Sequence, residues 1–167
     1  MEETIANILE KIEFKKKDMF EKLLLKVLAV AHEDTKTTYS THDNIVFRTS
    51  VLFAGFSPFH NELGKNKKYE AGVHALRVIC DELLVEVEDS ELFILFHIRE
   101  LGKFRKKESD LLKELKSIWG QYSAYKIEDC DFSYALKNLM RLKFIEYRKG
   151  NLHLNKNIIV RYRNERF

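Results

Sequence analysis

Few residues in this chain interrupt a helix or form cross-links. Among 167 residues there are one proline, six glycines and two cysteines. Cys80 and Cys130 form no CxxC pair, which excludes the metal-binding and redox motifs of that spacing, and we interpret both as small apolar core residues. The scarcity of proline and glycine, together with abundant Leu, Lys and Glu, favours a helical protein.

Long apolar runs are absent as well. The longest, Val27 to Ala31 and Val51 to Phe56, fall far short of the ~20 residues that a helix needs to span a bilayer. The first residues, Met-Glu-Glu-Thr, are acidic and do not resemble a signal peptide. These features predict a cytoplasmic protein that has no membrane partner.

The motifs of common enzymes are also missing. The glycines are scattered, so they form no phosphate-binding loop, and no HExxH or Cys/His cluster has the spacing of a metal site. Histidines and acids in the polar stretch 32–43 leave a hydrolase as a minor alternative, because they could meet as a metal or acid–base site. We therefore predict a protein that is not an enzyme and needs neither a cofactor nor a metal.

Charge is divided unevenly along the chain. Residues 1–89 contain 12 Lys and Arg against 16 Asp and Glu, whereas residues 90–167 contain 17 against 10. The first part is therefore acidic and the second basic, although the net charge of the whole is only +3. Unless this asymmetry arose by chance, it indicates that the basic half faces an anionic partner.

Apolar periodicity predicts most of the helices. Hydrophobic residues make up 45% of the chain, which excludes a disordered protein, and their spacing predicts helices over 4–13, 18–31, 69–88 and 90–102. The polar stretches 32–44 and 57–68 are predicted loops. Residues 45–56 are rich in β-branched and aromatic side chains, and their periodicity does not decide between helix and strand. We favour a helix there because the neighbouring segments are helical.

The C-terminal part has the most specific pattern. A helix is predicted from Ser109 to Trp119, and another after Asp131, which could cap it. Two short alternating runs then flank the pair Lys149-Gly150, as expected of a β-hairpin with a tight turn. With the helix predicted over 90–102, the order from residue 90 onward is therefore helix, helix, helix, hairpin.

This pattern resembles a known superfamily. The stretch Ala135-Leu136-x-x-Leu139-x-x-Leu142-x-Phe144-Ile145, followed by Lys149-Gly150 and Leu152-x-Leu154, resembles the third helix and the wing of winged-helix domains. The resemblance covers residues 90–155. Together with the helices predicted above, it implies a mainly α protein with a small β-hairpin. A multi-helical acidic region, 1–89, would pack against a winged-helix-like domain, 90–167, across a soft boundary or within one shared core.

The resemblance implies a function in binding double-stranded DNA, such as that of a transcriptional regulator. In such domains the third helix enters the major groove and the wing lies along the backbone. The residues that would contact DNA are Tyr134, Lys137, Asn138 and Arg141 on the third helix, Arg148 and Lys149 at the wing tip, and Lys103, Arg105, Lys106 and Lys107 after the helix predicted over 90–102. The alternative for these positions is an ordinary solvated helix face and turn.

A second hypothesis is an accessory or adaptor subunit of a multiprotein assembly, because winged-helix domains also dock proteins. In this case Phe53, Phe56 and Phe59 would form an exposed aromatic anchor for the partner. For a regulator, the resemblance also implies a possible homodimer, with the N-terminal helices 4–13 and 18–31 as candidates for that contact. Burial of the three phenylalanines in the core would remove the motivation for this anchor.

Overall fold

The computed structural model describes residues 1–31, 42–62, 68–100, 105–118 and 129–163. Over these residues the chain is mainly helical with small antiparallel sheets, which confirms the predicted class. The helices are α1 (Glu2–Lys11), α2 (Lys17–Val27), α3 (Thr49–Gly55), α4 (Lys68–Glu82), α5 (Asp89–Glu100), α6 (Glu108–Ile118) and α7 (Asp129–Arg141), with a 3-10 helix at Ser57–Glu62. The strands are β1 (Leu28–Ala31), β2 (His42–Phe47), β3 (Arg105–Lys106), β4 (Ile145–Arg148), β5 (Asn151–Leu154) and β6 (Ile158–Arg163).

The first sheet joins the two ends of the chain. Its strand order is β1-β2-β6 and both pairings are antiparallel. Leu28, Phe47 and Ile158 lie side by side in register, and all three are buried. Because β6 comes from the C-terminal half, this half contributes a strand to a sheet that begins in the N-terminal half.

The second sheet contains the predicted hairpin. Its order is β3-β5-β4, again antiparallel, with β4 and β5 joined by Lys149-Gly150. The φ angles of these two residues are 49° and 77°. Positive φ at both central positions is the signature of a type I′ turn, whose twist matches that of the flanking strands.

One core extends through both halves. The buried apolar residues form a single cluster that includes residues from α1 through β6. Within it, the rings of Phe14, Phe20, Phe56 and Phe59 pack at centroid distances of 5.0–6.0 Å. The α4 and α5 helices pack closely at Gly72, where a Cβ atom would lie 2.2 Å from the Phe96 ring. Hydrophobic burial therefore holds the two halves together.

Two predicted helices are partly wrong. The helix expected over 18–31 ends at Val27, and Leu28–Ala31 forms β1 instead. The single helix favoured over 45–56 is also incorrect, because Ile45–Phe47 belongs to β2 and only Thr49–Gly55 is helical. In both cases the pairing of β1 with β2 outweighs helix propensity, and β-branched Val30, Ile45 and Val46 suit a strand.

The predicted loops also need correction. The stretch 32–44 includes the start of β2 at His42, and its residues 32–41 lie outside the described residues. The stretch 57–68 contains the 3-10 helix Ser57–Glu62. The long helix expected over 69–88 ends earlier, at Glu82, because the chain turns at Leu84 in the left-handed region, with φ of 55°. Within the described segments, no helix has both the length and the apolar character to cross a bilayer.

Candidate nucleic-acid interface

The α7 helix presents a basic outer face. Its inner side is formed by the buried Phe132, Leu136 and Leu139, as the apolar spacing predicts. The helix begins at Asp129, so Asp131 lies within its first turn and is not its N-cap. Tyr134, at 74% exposure, and the exposed Lys137 and Arg141 project from the opposite side. We call these three residues the basic face of α7.

Asn138 does not belong to this face. It is half-buried, and its amide nitrogen donates to both carboxylate oxygens of Glu91, each at 2.9 Å. Glu91 is itself only 2% exposed, and it also accepts the backbone N–H of Glu88 at 2.9 Å. This last bond is the reciprocal half of a capping box at the start of α5. Asn138 therefore ties α7 to α5, which corrects the prediction that its amide faces a base edge.

Asn138 also orients Arg141. The guanidinium donates from Nε and Nη2 to Asn138 Oδ1, at 3.0 and 2.7 Å. Because Asn138 is held by Glu91, a continuous set of hydrogen bonds runs from a buried carboxylate to an exposed cation. A guanidinium that is already oriented loses less conformational entropy when it binds an anion. Sequence reasoning missed Glu91, although an acid directly before the apolar run 92–96 of a helix is a signal of this kind of network.

The hairpin turn presents two more cations. Lys149 is exposed at the turn, and the side chain of Arg148 is 63% exposed while it pairs with Glu146. At the base of the hairpin, the Tyr147 hydroxyl donates to the Glu108 carboxylate of α6. Burial, together with the hydrogen bond to Glu108 and its negative charge, raises the pKa of Tyr147 to about 12. The hairpin is therefore fixed to α6 at neutral pH, with its cations outward.

The remaining predicted cations are only partly described. Lys107 is exposed just before α6. Arg105 and Lys106 form β3, where they pair in register with His153 and Leu152 of the hairpin. The backbone thus brings this basic connection beside the hairpin. Lys103 lies outside the described residues.

The proposed aromatic anchor is buried. Phe53, Phe56 and Phe59 are only 7%, 2% and 1% exposed. Phe53 and Phe56 pack against the Phe96 ring of α5, at centroid distances of 6.0 and 5.8 Å. The apolar stretch after β2 folds into the core because three large rings are stabilised by leaving water. These residues cannot anchor a partner, and the adaptor hypothesis loses the surface on which it was based.

Metal-binding and thiol chemistry are the catalytic possibilities that the described residues bear on. Among them, no group of three or more His, Cys, Asp or Glu is arranged to hold a metal ion. Of the histidines and acids in the stretch 32–43, His32, Glu33 and Asp34 lie outside the described residues, whereas His42 and Asp43 belong to β2. Cys80 is fully buried, and this burial raises the pKa of its thiol to about 12. A buried thiol with a raised pKa is a poor nucleophile.

No protein-family model, curated protein or solved structure matches this chain.

Proposed function

We propose that residues 90–155 form a winged-helix domain and that the protein binds double-stranded DNA without catalysing a reaction. The α7 helix would enter the major groove, and the β4–β5 hairpin would act as the wing against the phosphate backbone. The supporting observation is the connectivity α5-β3-α6-α7-β4-β5 with strand order β3-β5-β4. This arrangement leaves the basic face of α7 and the hairpin turn exposed on the same unit.

Charge supports the same surface. The basic residues are concentrated in the half that contains α7 and the hairpin, whereas the other half is acidic. Lys137, Arg141 and Lys149 are exposed and can release counterions from phosphates. Arg141 has the further capacity to contact guanine in the major groove. Within this proposal the protein is a cytoplasmic regulator whose affinity for DNA depends on salt.

The test is fluorescence anisotropy of a labelled random-sequence duplex at low salt. We expect the double variant Lys137→Ala, Arg141→Ala to bind about tenfold more weakly than the natural protein, since it loses two cations that contact phosphates. The matched control is Lys22→Ala, Lys26→Ala, which removes two exposed cations from α2 in the acidic half. Equal losses in the two variants, or no binding by the natural protein, would contradict the proposal.

A further inference from the structure

An open groove lies beside β6. Its volume is about 360 Å³, and it is lined by residues 84–86, 141–143 and 158–160. Successive residues of a strand point to opposite faces of the sheet. A groove lined by three successive residues of β6, and by none of β2, therefore follows the edge of β6 that faces away from β2.

Two helix ends form the other walls of this groove. After α4, the N–H of Val85 donates to the carbonyl of Cys80 at 2.8 Å, and Leu84 lies at φ 55°. After α7, the N–H of Phe144 donates to the carbonyl of Leu139 at 2.9 Å, and Lys143 lies at φ 65°. Both are Schellman motifs, in which the left-handed position is usually glycine. Here the two positions carry large side chains that border the same groove.

The apolar side chains at the groove face solvent. Leu84 is 74% exposed and Ile159 is 68% exposed, which makes them the most exposed aliphatic residues of the described chain. A leucine in the left-handed region destabilises the backbone, and at this exposure it recovers little by packing. The fold of the single chain therefore leaves most of both side chains in water. A contact with another molecule would bury both.

The edge of β6 is open to pairing. Among the described strands, only β2 pairs with β6, and the part of its outer edge that borders the groove is 158–160. The strand begins Ile158-Ile159-Val160, which is an aliphatic sequence of high β propensity. An open aliphatic edge is the structure to which an extended peptide adds as a further strand.

The charges at the groove favour one kind of occupant. The exposed cations Arg141 and Lys143 lie at the end of α7, against a single acid, Glu86, on the opposite wall. A second copy of the chain paired at this edge would bring together two grooves that each carry this net positive charge. Like charges across an interface oppose association, whereas an acidic partner pairs with them.

We propose that this groove docks an extended segment of a partner protein in which aliphatic residues alternate with acidic ones. The segment adds as a fourth strand beside β6, with its aliphatic side chains on Leu84 and Ile159 and its acids near Arg141 and Lys143. This inference does not rest on DNA binding: the two surfaces share Arg141, but the groove is otherwise formed by the end of α4 and by β6 of the other sheet.

The experiment is a selection of displayed random peptides, long enough to pair with the whole of β6, on the intact protein. We expect enrichment of sequences that alternate Asp or Glu with Ile, Val or Leu. The best synthetic peptide should bind the double variant Leu84→Gly, Ile159→Thr about tenfold or more weakly. Glycine suits the left-handed position and threonine suits a strand, so this variant keeps its fold, which its melting temperature will verify.

The controls separate this proposal from its alternatives. Leu25→Ser removes another exposed leucine, on α2, and should leave peptide binding unchanged, as should Lys137→Ala on the basic face. No enrichment, enrichment of sequences without acids, or full affinity in the double variant would overturn the proposal. So would a dimer in sedimentation that the double variant abolishes, since a second copy would then occupy the edge.

Discussion

Asn138 is the residue at which helical spacing and actual contacts differ most. Its spacing from Tyr134 and Arg141 correctly predicts that it lies on the same broad arc of α7 as these two residues. It lies at the margin of that arc, however, where the buried Glu91 accepts both of its amide hydrogen bonds. Helical periodicity places a side chain on an arc, but it does not reveal that a carboxylate 47 residues earlier in the chain lies against it.

Replacing Asn138 with alanine tests this contact. The buried Glu91 carboxylate would keep only the N–H of Glu88 among the partners described above, so we expect Asn138→Ala to lower the free energy of unfolding by about 1–3 kcal/mol. Lys137→Ala, one residue away and exposed, should change it by no more than about 0.5 kcal/mol. Urea denaturation measures both. Equal stability of the two variants would show that the hydrogen bonds from Asn138 to the buried Glu91 carboxylate do not stabilise the fold.

The hairpin turn allows stability and DNA binding to be separated. Asn tolerates the left-handed region better than lysine does, and Asn-Gly is the preferred pair for a type I′ turn. We therefore expect Lys149→Asn to raise the free energy of unfolding by about 0.5–1 kcal/mol while it weakens binding to duplex DNA. Thermal denaturation and anisotropy measure the two effects. A variant that gains stability without losing affinity would exclude Lys149 from the DNA contact.

At the level of elements, the packing of α4 on α5 depends on a glycine. Helix propensity alone predicts that Gly72→Ala stabilises α4 by about 1 kcal/mol. The new Cβ would lie 2.2–2.6 Å from the Phe96 ring, which is itself enclosed by Phe53 and Phe56. We expect this overlap to dominate and to destabilise the protein by about 1–3 kcal/mol.

A double-mutant cycle checks the cause. In a Phe96→Leu background the ring is gone, so Gly72→Ala should cost clearly less free energy of unfolding there than in the natural protein. The same cost in both backgrounds would indicate that Phe96 is not the obstacle.

At the end of α4, in contrast to Gly72, a side chain occupies a position that suits glycine. Leu84 occupies the left-handed position of a Schellman motif and is largely exposed. Leu84→Gly should raise the free energy of unfolding by about 1 kcal/mol, because glycine adopts this conformation without steric strain. Leu84→Ala removes the same side chain but keeps the strain, and it should remain near the natural stability. If both variants behaved alike in chemical denaturation, the backbone would not be the cause.

The strands β1 and β2 show why element prediction is limited. Leu28–Ala31 continues the apolar spacing of α2, so local pattern extends the helix through it. The strand exists because Leu28 pairs with Phe47, and Phe47 in turn with Ile158. These partners are distant in sequence, and single-chain periodicity contains no information about such pairing. The hairpin was predicted correctly because its turn signal, Lys149-Gly150, is local.

At the level of the whole molecule, the C-terminal segment returns to the N-terminal half. The buried Thr49 hydroxyl donates to the carbonyl of Asn155 at 2.6 Å, just before β6 joins β2. The Phe53 ring packs on the Phe96 ring of α5 at a centroid distance of 6.0 Å, which links the halves again. Composition and periodicity correctly predict the class, the helix α5 and the hairpin, but neither indicates that the two halves share a sheet.

Helical spacing predicts part of the candidate DNA interface. Tyr134, Lys137 and Arg141 are exposed as their helical spacing predicts. The groove beside β6 was not predicted, because it forms where two helix ends meet a strand from another part of the chain. Surfaces made by one element can be inferred from sequence, whereas surfaces made by several require the fold.

The most direct test of DNA binding is the salt dependence of affinity for a random-sequence duplex between about 50 and 200 mM salt. If the exposed cations on α7 and the hairpin contact phosphates, the logarithm of the binding constant should fall against the logarithm of salt with a slope of about −4. The triple variant Lys137→Ala, Arg141→Ala, Lys149→Ala should make that slope shallower by about three. An unchanged slope in this variant, or no binding by the natural protein at the lowest salt, would contradict DNA binding by this surface.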